Sequence, residues 1–317
     1  MSKRGAKRLT AGLVILAVTV VGILAGCSRH NRKDSEKEPY TIGFVTKSKS
    51  SEYWMSVCSG AEKAAKDYGV SVMIVSPNTE TNDKLQRKMI GDLIDKGVDA
   101  LAVSPIQSYE ADDYLEKAKA QEIPVYSYDT KIVSPDIPYI GIDNEKAGRE
   151  IAKYMAEQIG QTGQVGIISG GLKQTAHKER TEGFISYIRE NTEIEIAFQE
   201  SGYSNLQMSE KEITRLLQEH PDVDGIFATS AVTALGIMEY MSSRPVMIAT
   251  VDAQQDAIEA VKDGGIMALV AQSGYDIGYQ TIEYIVKDRD KVKQPLNDIL
   301  DVEILTRENA GQYEEGL

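Results

Sequence analysis

The chain has 317 residues, with 35 basic and 48 acidic side chains and a formal net charge of −13. Setting aside the four basic residues among its first eight leaves 31 against 48, or −17, a surface that repels nucleic acid and offers no polybasic patch to an anionic membrane. Only two cysteines are present, which excludes a disulfide-stapled scaffold, and hydrophobic residues at 42% provide for sizeable cores instead.

In chain order, the first segment is a targeting signal rather than part of a fold. Lys3, Arg4, Lys7 and Arg8 run into the apolar stretch 9–24, the basic and hydrophobic regions of a secretory signal. The stretch is shorter than the ~18 residues expected of a membrane-spanning helix. It ends in Leu24-Ala25-Gly26-Cys27, which resembles the lipobox of bacterial lipoproteins, whose cysteine is acylated and becomes the first residue. The expectation is a signal peptide over 1–26 and a lipidated Cys27 that anchors the protein outside the cytoplasm; an uncleaved anchor is the alternative. Residues 28–39 are charged and small, and read as a solvated tether.

From Tyr40 onward, strand and helix patterns alternate. Residues 41–46 are β-rich, 53–68 carry apolar residues at 54, 57, 58, 61, 65 and 68 and stop at Gly69, and 70–75 form the next strand. Further strands are predicted at 99–103, 123–127, 139–142, 164–169, 194–199, 225–228, 246–250 and 266–271. Helices are predicted around Leu85, Met89 and Leu93 and at 109–120, 144–159, 175–190, 206–219, 232–241, 254–262 and 276–287. Cys58, on the apolar side of its helix, reads as a small buried hydrophobe. Repeated βα units with continuous apolar strands require parallel sheets covered on both faces. About ten strands are many for one sheet, so the expected fold class is α/β with two doubly wound parallel-sheet lobes.

In such sheets ligands bind beyond the carboxyl ends of the strands. The residues found there are Lys47 to Ser51, Asp129, Asp143-Asn144, Gly170-Gly171 to Arg180, Tyr203, Ser230, Asp252 and Gln272. Asp129 and Asp252 supply acceptors, Arg180 and Gln272 planar donors, and Tyr53 and Trp54 flat apolar faces. That combination suits a small polyhydroxylated molecule, since a sugar ring presents hydroxyls around its edge and C–H groups on its faces.

The motifs together resemble the ribose-binding type of bacterial periplasmic binding proteins. They are Ile42-Gly43-Phe44-Val45 leading to Tyr53-Trp54, Gly97-Val98-Asp99-Ala100 with Ser104-Pro105, and Ile123-Pro124-Val125 before Asp129. Ile140-Gly141-Ile142-Asp143-Asn144 before Ala147-Gly148, Glu179-Arg180 with Glu182-Gly183-Phe184, Ala234-Leu235-Gly236 and Ala271-Gln272 complete the set. The resemblance covers residues 40–306. It implies the type 1 periplasmic binding protein fold, with a hinge crossed three times near 142–143, 272–273 and 300–302. The lobes would then be 40–142 plus 273–301 and 143–272 plus 302–317. It also implies Tyr53 and Trp54 as stacking aromatics, Asp129, Arg180 and Asp252 as charged hydrogen-bonding groups, Tyr203 as an aromatic from the second lobe, and Gln272 beside the hinge.

Three positions depart from the pattern: Ser51 and Ser230 stand where asparagine is common, and Thr130 where an arginine often follows the first aspartate. Fewer long donors argue against ribose itself. Lys47 is the candidate to restore the missing positive charge, and a lysine there also resembles relatives that bind a furanosyl autoinducer. Ordinary readings stand beside these: Trp54 as core, Asp129 and Asp252 as caps or turn residues, Arg180 as a surface partner of Glu179 or Glu182, and Lys47 as solvated charge. Asp143-Asn144 reads as a helix cap rather than a ligand contact.

Catalytic motifs are lacking. Gly170-Gly171 has no GK[ST] ending, no GxGxxG follows a strand, and His177 is the only histidine near the cleft, too few for a metal. Asp129 and Asp252 together mimic a glycosidase pair, but Arg180 would keep both ionised. The expectation is a non-enzymatic, monomeric binding protein without cofactor or metal. Its ligand would be a monosaccharide or small polyol, and its partner an ABC permease or the extracellular domain of a sensor kinase.

Overall fold

The computed structural model describes residues 39–240 and 246–313. The signal peptide, Cys27, the tether up to residue 38 and position 241 lie outside the described residues. The chain divides into Met1–Pro39 and Tyr40–Leu317, and everything below concerns the second unit.

Twelve strands, numbered along the chain, form two six-stranded sheets among the described residues. The first holds β1 (Thr41–Val45), β2 (Ser71–Val75), β3 (Ala100–Val103), β4 (Val125–Tyr128), β5 (Tyr139–Gly141) and β11 (Asn297–Ile299). Its order is β11-β5-β4-β3-β1-β2, parallel throughout. The second holds β6 (Thr162–Ser169), β7 (Glu193–Ser201), β8 (Gly225–Ala228), β9 (Met247–Val251), β10 (Ala268–Ala271) and β12 (Glu303–Thr306). Its order, β12-β10-β9-β8-β6-β7, repeats the winding of the first, except that β12 runs antiparallel to β10. Strands β4 and β9 therefore hold equivalent places in the two lobes.

Helices cover both faces of each sheet, as parallel strands require. Helices α1 (Glu52–Tyr68) and α9 (Gly274–Arg289) pack on the Ile42 and Phe44 side of the first sheet. Helices α2 (Asp83–Asp95) and α3 (Asp112–Ala120) pack on the Val45 and Leu101 side. On the second sheet α4 (Asn144–Ile159) and α5 (Thr175–Asn191) take one face. The other face carries α6 (Leu206–Glu219), α7 (Ala231–Tyr240) and α8 (Gln255–Asp263). Burial of each large apolar side chain in these layers contributes roughly 1.5–3 kcal/mol, which explains how the lobes hold without disulfides. The caps follow the sequence: Gly69 ends α1 at φ 64°, and the Asp143 carboxylate accepts the Lys146 N–H at the start of α4.

The chain passes between the sheets three times, between Gly141 and Asn144, between Ala271 and Gly274, and between Ile299 and Glu303. Two strands exceed the ten expected. Both β11 and β12 are short edge strands, and Asn297, Asp298 and Glu303 interrupt the apolar run by which a buried strand is recognised. Cys58 is half-buried rather than buried, and desolvation with the nearby Glu62 pushes its thiol up to about 11, so it is not a reactive thiolate at neutral pH. Among the described residues no helix is long and apolar enough to cross a membrane.

Candidate functional site

The carboxyl ends of the two sheets meet across an inner cavity. From the first lobe Lys47, Ser51, Tyr53, Trp54, Glu80 and Asp129 line it, and from the second Ala176, His177, Arg180, Ser204, Ser230, Val232 and Asp252. Eight of the ten sequence-predicted residues are thus wall residues. The other two are placed differently.

Asp129 follows β4 and Asp252 follows β9, so the two carboxylates occupy equivalent ends of equivalent strands. Both sit in the left-handed region, at φ 58° and 86°, a conformation that aspartate tolerates better than most residues but that still costs about 1–3 kcal/mol. The two do different work. Asp129 Oδ2 accepts from Ser104 Oγ (3.0 Å) and Thr130 Oγ1 (2.8 Å) and lies 3.1 Å from Lys47 Nζ. Its Oδ1 accepts from the Tyr53 hydroxyl (2.8 Å) and from Gln272 Nε2 (3.2 Å). Burial alone would raise its pKa, but the Lys47 and Arg180 charges outweigh that and hold the carboxyl well below the usual range. Its lone pairs are committed, and it organises the first-lobe wall. The Asp252 carboxylate instead has Arg180 Nη1, at 3.2 Å from Oδ1, as its only hydrogen-bond donor among the described residues. Burial and the negative Asp129 raise its pKa further than that single contact lowers it. Arg180 thus lowers the pKa of both carboxyls, but at Asp252 burial outweighs it.

Arg180 is a buried hub, 2% exposed, and not a surface partner of Glu179 or Glu182. Its Nε donates to Asn144 Oδ1 (2.8 Å), Nη1 to the Thr229 carbonyl (2.9 Å) and Nη2 to Gln272 Oε1 (2.7 Å). Asn144, read from the sequence as a cap residue, is thus a positioning residue for the hub. The helices that carry them, α4 and α5, cross so closely that a Cβ on Gly148 would overlap the Arg180 carbonyl oxygen.

Lys47, two residues past β1, is 2% exposed and not solvated. Its Nζ donates to Thr130 Oγ1 (2.9 Å) within its own lobe and to Gln174 Oε1 (2.6 Å) across the cleft, and sits 5.3 Å from the centre of the Trp54 ring. The lysine therefore places a positive charge beside Asp129 and Thr130. Trp54 has a core role and a site role together: it packs into the first-lobe core, and its Nε1 donates to Glu80 Oε1 (2.9 Å).

Tyr203 and Gln272 are not wall residues. Tyr203 follows β7 at φ 54° and is 45% exposed; its neighbour Ser204 reaches the cavity instead. The turn aims the aromatic outward. Gln272, 1% exposed, lies behind the wall and ties Arg180 to Tyr53 and Asp129, accepting from the former and donating to both of the latter.

Glu80, which the sequence reading passed over, joins the cavity from the loop after β2. Burial raises its pKa, yet Lys47 and His177 bring it down to about 2. Its Oε2 accepts from Gln174 Nε2 (3.2 Å) and lies 3.7 Å from His177 Nε2. His177 is anchored by Thr229 Oγ1 (2.9 Å) and Ser204 Oγ (3.1 Å), and burial, its main influence, lowers its pKa. Lys47, Glu80, Gln174 and His177 therefore join the lobes through polar contacts inside the cleft, and Thr175 with Ser108 and Lys131 with Glu179 do so at its side. With these contacts made, the cavity volume is about 20 Å³, room for roughly one water. A sugar ring enters only if the lobes part and these contacts open. No cluster able to hold a metal occurs among the described residues.

Comparison with known proteins agrees with this fold. The profile of the periplasmic binding protein domain matches residues 42–288. The ribose import binding protein of Bacillus subtilis (strain 168) is 29% identical over 245 residues, 76% of this chain and 79% of that protein. Among solved structures, a periplasmic solute binding protein of Actinobacillus succinogenes 130z with bound D-allose superposes with a TM-score of 0.80 at 25% identity, covering 86% of this chain and 99% of that one. The XylFII–LytSN complex gives a TM-score of 0.78 at 26% identity, covering 86% and 98%. The chain belongs to the periplasmic binding protein domain family, whose members work outside the cytoplasm, and within it to the type that the ribose import binding proteins represent.

Proposed function

We propose that this protein captures a monosaccharide or similar small polyol between its lobes and presents the closed form to an ABC permease. The observation that carries the reading is the division of the cavity wall between lobes. Each side contributes a carboxylate and a cation, Asp129 with Lys47 on one and Asp252 with Arg180 on the other, and the first adds two aromatic faces. Opening would cost Lys47 and Glu80 their cross-cleft partner Gln174, and sugar hydroxyls would replace it, while Asp252 accepts from further hydroxyls. Ligand and lobes then compete for the same hydrogen-bonding groups, so the filled cleft closes without stranding a buried charge. The relatives known as ribose import binding proteins and the D-allose-bound neighbour support the ligand class.

Binding rather than catalysis fits the committed lone pairs of Asp129, which leave it neither a free base nor a nucleophile. Isothermal titration against pentoses, hexoses and inositols is expected to show one site per chain, with binding abolished by Arg180→Ala and by Asp252→Ala. Survival of binding in both variants removes the site assignment.

A second reading is favoured by the XylFII–LytSN neighbour: the closed form docks on the extracellular part of a sensor kinase. Deleting the gene separates the two. Lost uptake of labelled sugar supports transport, and intact uptake with lost sugar-induced transcription supports sensing. In either role we place the protein at the outer face of the cell membrane, held by acylated Cys27. Cys27→Ser is expected to move it from the membrane fraction to the soluble exported fraction.

A further inference from the structure

The two carboxylate–cation pairs of the inner cavity balance, but its wall holds a third carboxylate. Glu80 enters from the first lobe without a cation of its own, so Asp129, Asp252 and Glu80 face only Lys47 and Arg180. The other titratable wall residues add no charge at neutral pH, since burial lowers the pKa of His177 and raises that of Tyr53. At the side of the cleft Lys131 and Glu179 offset each other, 3.0 Å apart. The closed cavity is therefore short of one positive charge.

The hydrogen bonds show where the charge is missing. Asp129 and Glu80 accept on both of their oxygens, Asp129 from Tyr53, Gln272, Ser104 and Thr130, and Glu80 from Trp54 and Gln174. Asp252 accepts on Oδ1 alone, and its Oδ2 has no donor among the described residues. That oxygen is not an enclosed atom: the side chain lines the cavity and is 9% exposed, so a ligand in the opened cleft can reach it. Asp252 also holds its proton more tightly than usual, as befits a buried anion with too little positive charge around it. A sugar hydroxyl at Oδ2 would fill a lone pair and leave the excess charge in place, whereas an ammonium group does both. With 48 acidic against 35 basic side chains, the field of the whole chain also favours approach of a cation.

We propose that the preferred ligand is an amino sugar, a monosaccharide carrying one protonated amine, whose ammonium group donates to Asp252 Oδ2 and offsets the charge that Glu80 adds to the closed cleft. This rests on the sugar-binding reading above and names the ligand class within it.

The test is titration calorimetry of the purified protein at about pH 7, where an amine of the α-amino kind still carries its proton. D-glucosamine, D-galactosamine and D-mannosamine are compared with D-glucose, D-galactose and D-mannose, with D-ribose and D-xylose as further neutral sugars. At least one amino sugar is expected to bind roughly tenfold or more tightly than the sugar with a hydroxyl at the same carbon. Raising the pH to about 9, where the amine is neutral, is expected to erase that advantage. Glu80→Gln is expected to shrink the ratio of the two Kd values several-fold, and so is Asp252→Asn, in which asparagine keeps the shape and tolerates the φ of 86°. The ratio compares two ligands on one protein, so a general loosening of the cleft leaves it unchanged. Equal or tighter binding of a neutral sugar, or a ratio that neither substitution moves, overturns the amino-sugar assignment while sugar binding stands. Binding of neither class overturns the sugar reading itself.

Discussion

At the scale of single residues, the site is a set of buried charges that depend on one another. Asp129→Ala is expected to abolish ligand binding and to cost about 3–5 kcal/mol of stability, because Lys47 would be left buried without its carboxylate. Denaturant unfolding and calorimetry read the two effects separately. The pH dependence follows from the same groups. His177 has its pKa lowered by burial, so its contribution is complete above its unfolded value of about 6.5 and is lost as the pH falls below that. Glu80 is held down at about 2, so its contribution is complete above about 4.3 and is lost between there and about 2. Asp252 is raised and works in the opposite sense, its proton being held more tightly in the folded state. The melting temperature is therefore expected to begin falling below pH 6.5, and His177→Gln to remove that first step but not the later one. Asp129 and Asp252 were legible because each directly follows an apolar strand, where a charged residue has few other uses, whereas Arg180, inside α5, was legible from the Glu179-Arg180 motif with Glu182-Gly183-Phe184. Glu80 obeys the same rule after β2. It was missed because the intervening polar loop gives no local sign of folding back against Trp54. Tyr203 failed for the converse reason: position after a strand does not fix which way a turn aims a side chain.

At the scale of elements, the hub depends on how closely helices cross. Gly148 on α4 faces the Arg180 carbonyl, and Gly183 on α5 faces the Glu145 carbonyl, so neither position has room for a side chain. Gly148→Ala is expected to push α4 and α5 apart, at a cost of about 1–3 kcal/mol in stability, and to weaken binding by moving Asn144 and Arg180. A melting curve and a titration on the same preparation check both. The strand and helix pattern was readable because alternate βα units carry long apolar runs: the limits of α4, α6 and β8 match the sequence pattern residue for residue. Strands β11 and β12 were not readable. Their places at the sheet edges relax the demand for apolar residues, and pairing across long stretches of chain leaves no local periodicity.

At the scale of the whole molecule, two copies of one winding scheme place Asp129 and Asp252 opposite each other. Three short passages of chain link the sheets. The fold class was accessible from periodicity and length, since about ten predicted strands with helices between them fill two sheets better than one. The closeness of the lobes was not, because it is set by contacts such as Lys47 with Gln174 that join residues far apart in sequence. Those contacts shut the inner cavity too tightly for a sugar ring, and the proposed function therefore requires a ligand to enter an opened cleft and close it. Small-angle scattering across a titration with a sugar that calorimetry shows to bind tests this most directly. The account predicts a radius of gyration that changes in step with site occupancy and a maximum dimension that shortens from any open population. Profiles that superimpose at zero, half and full occupancy would contradict it.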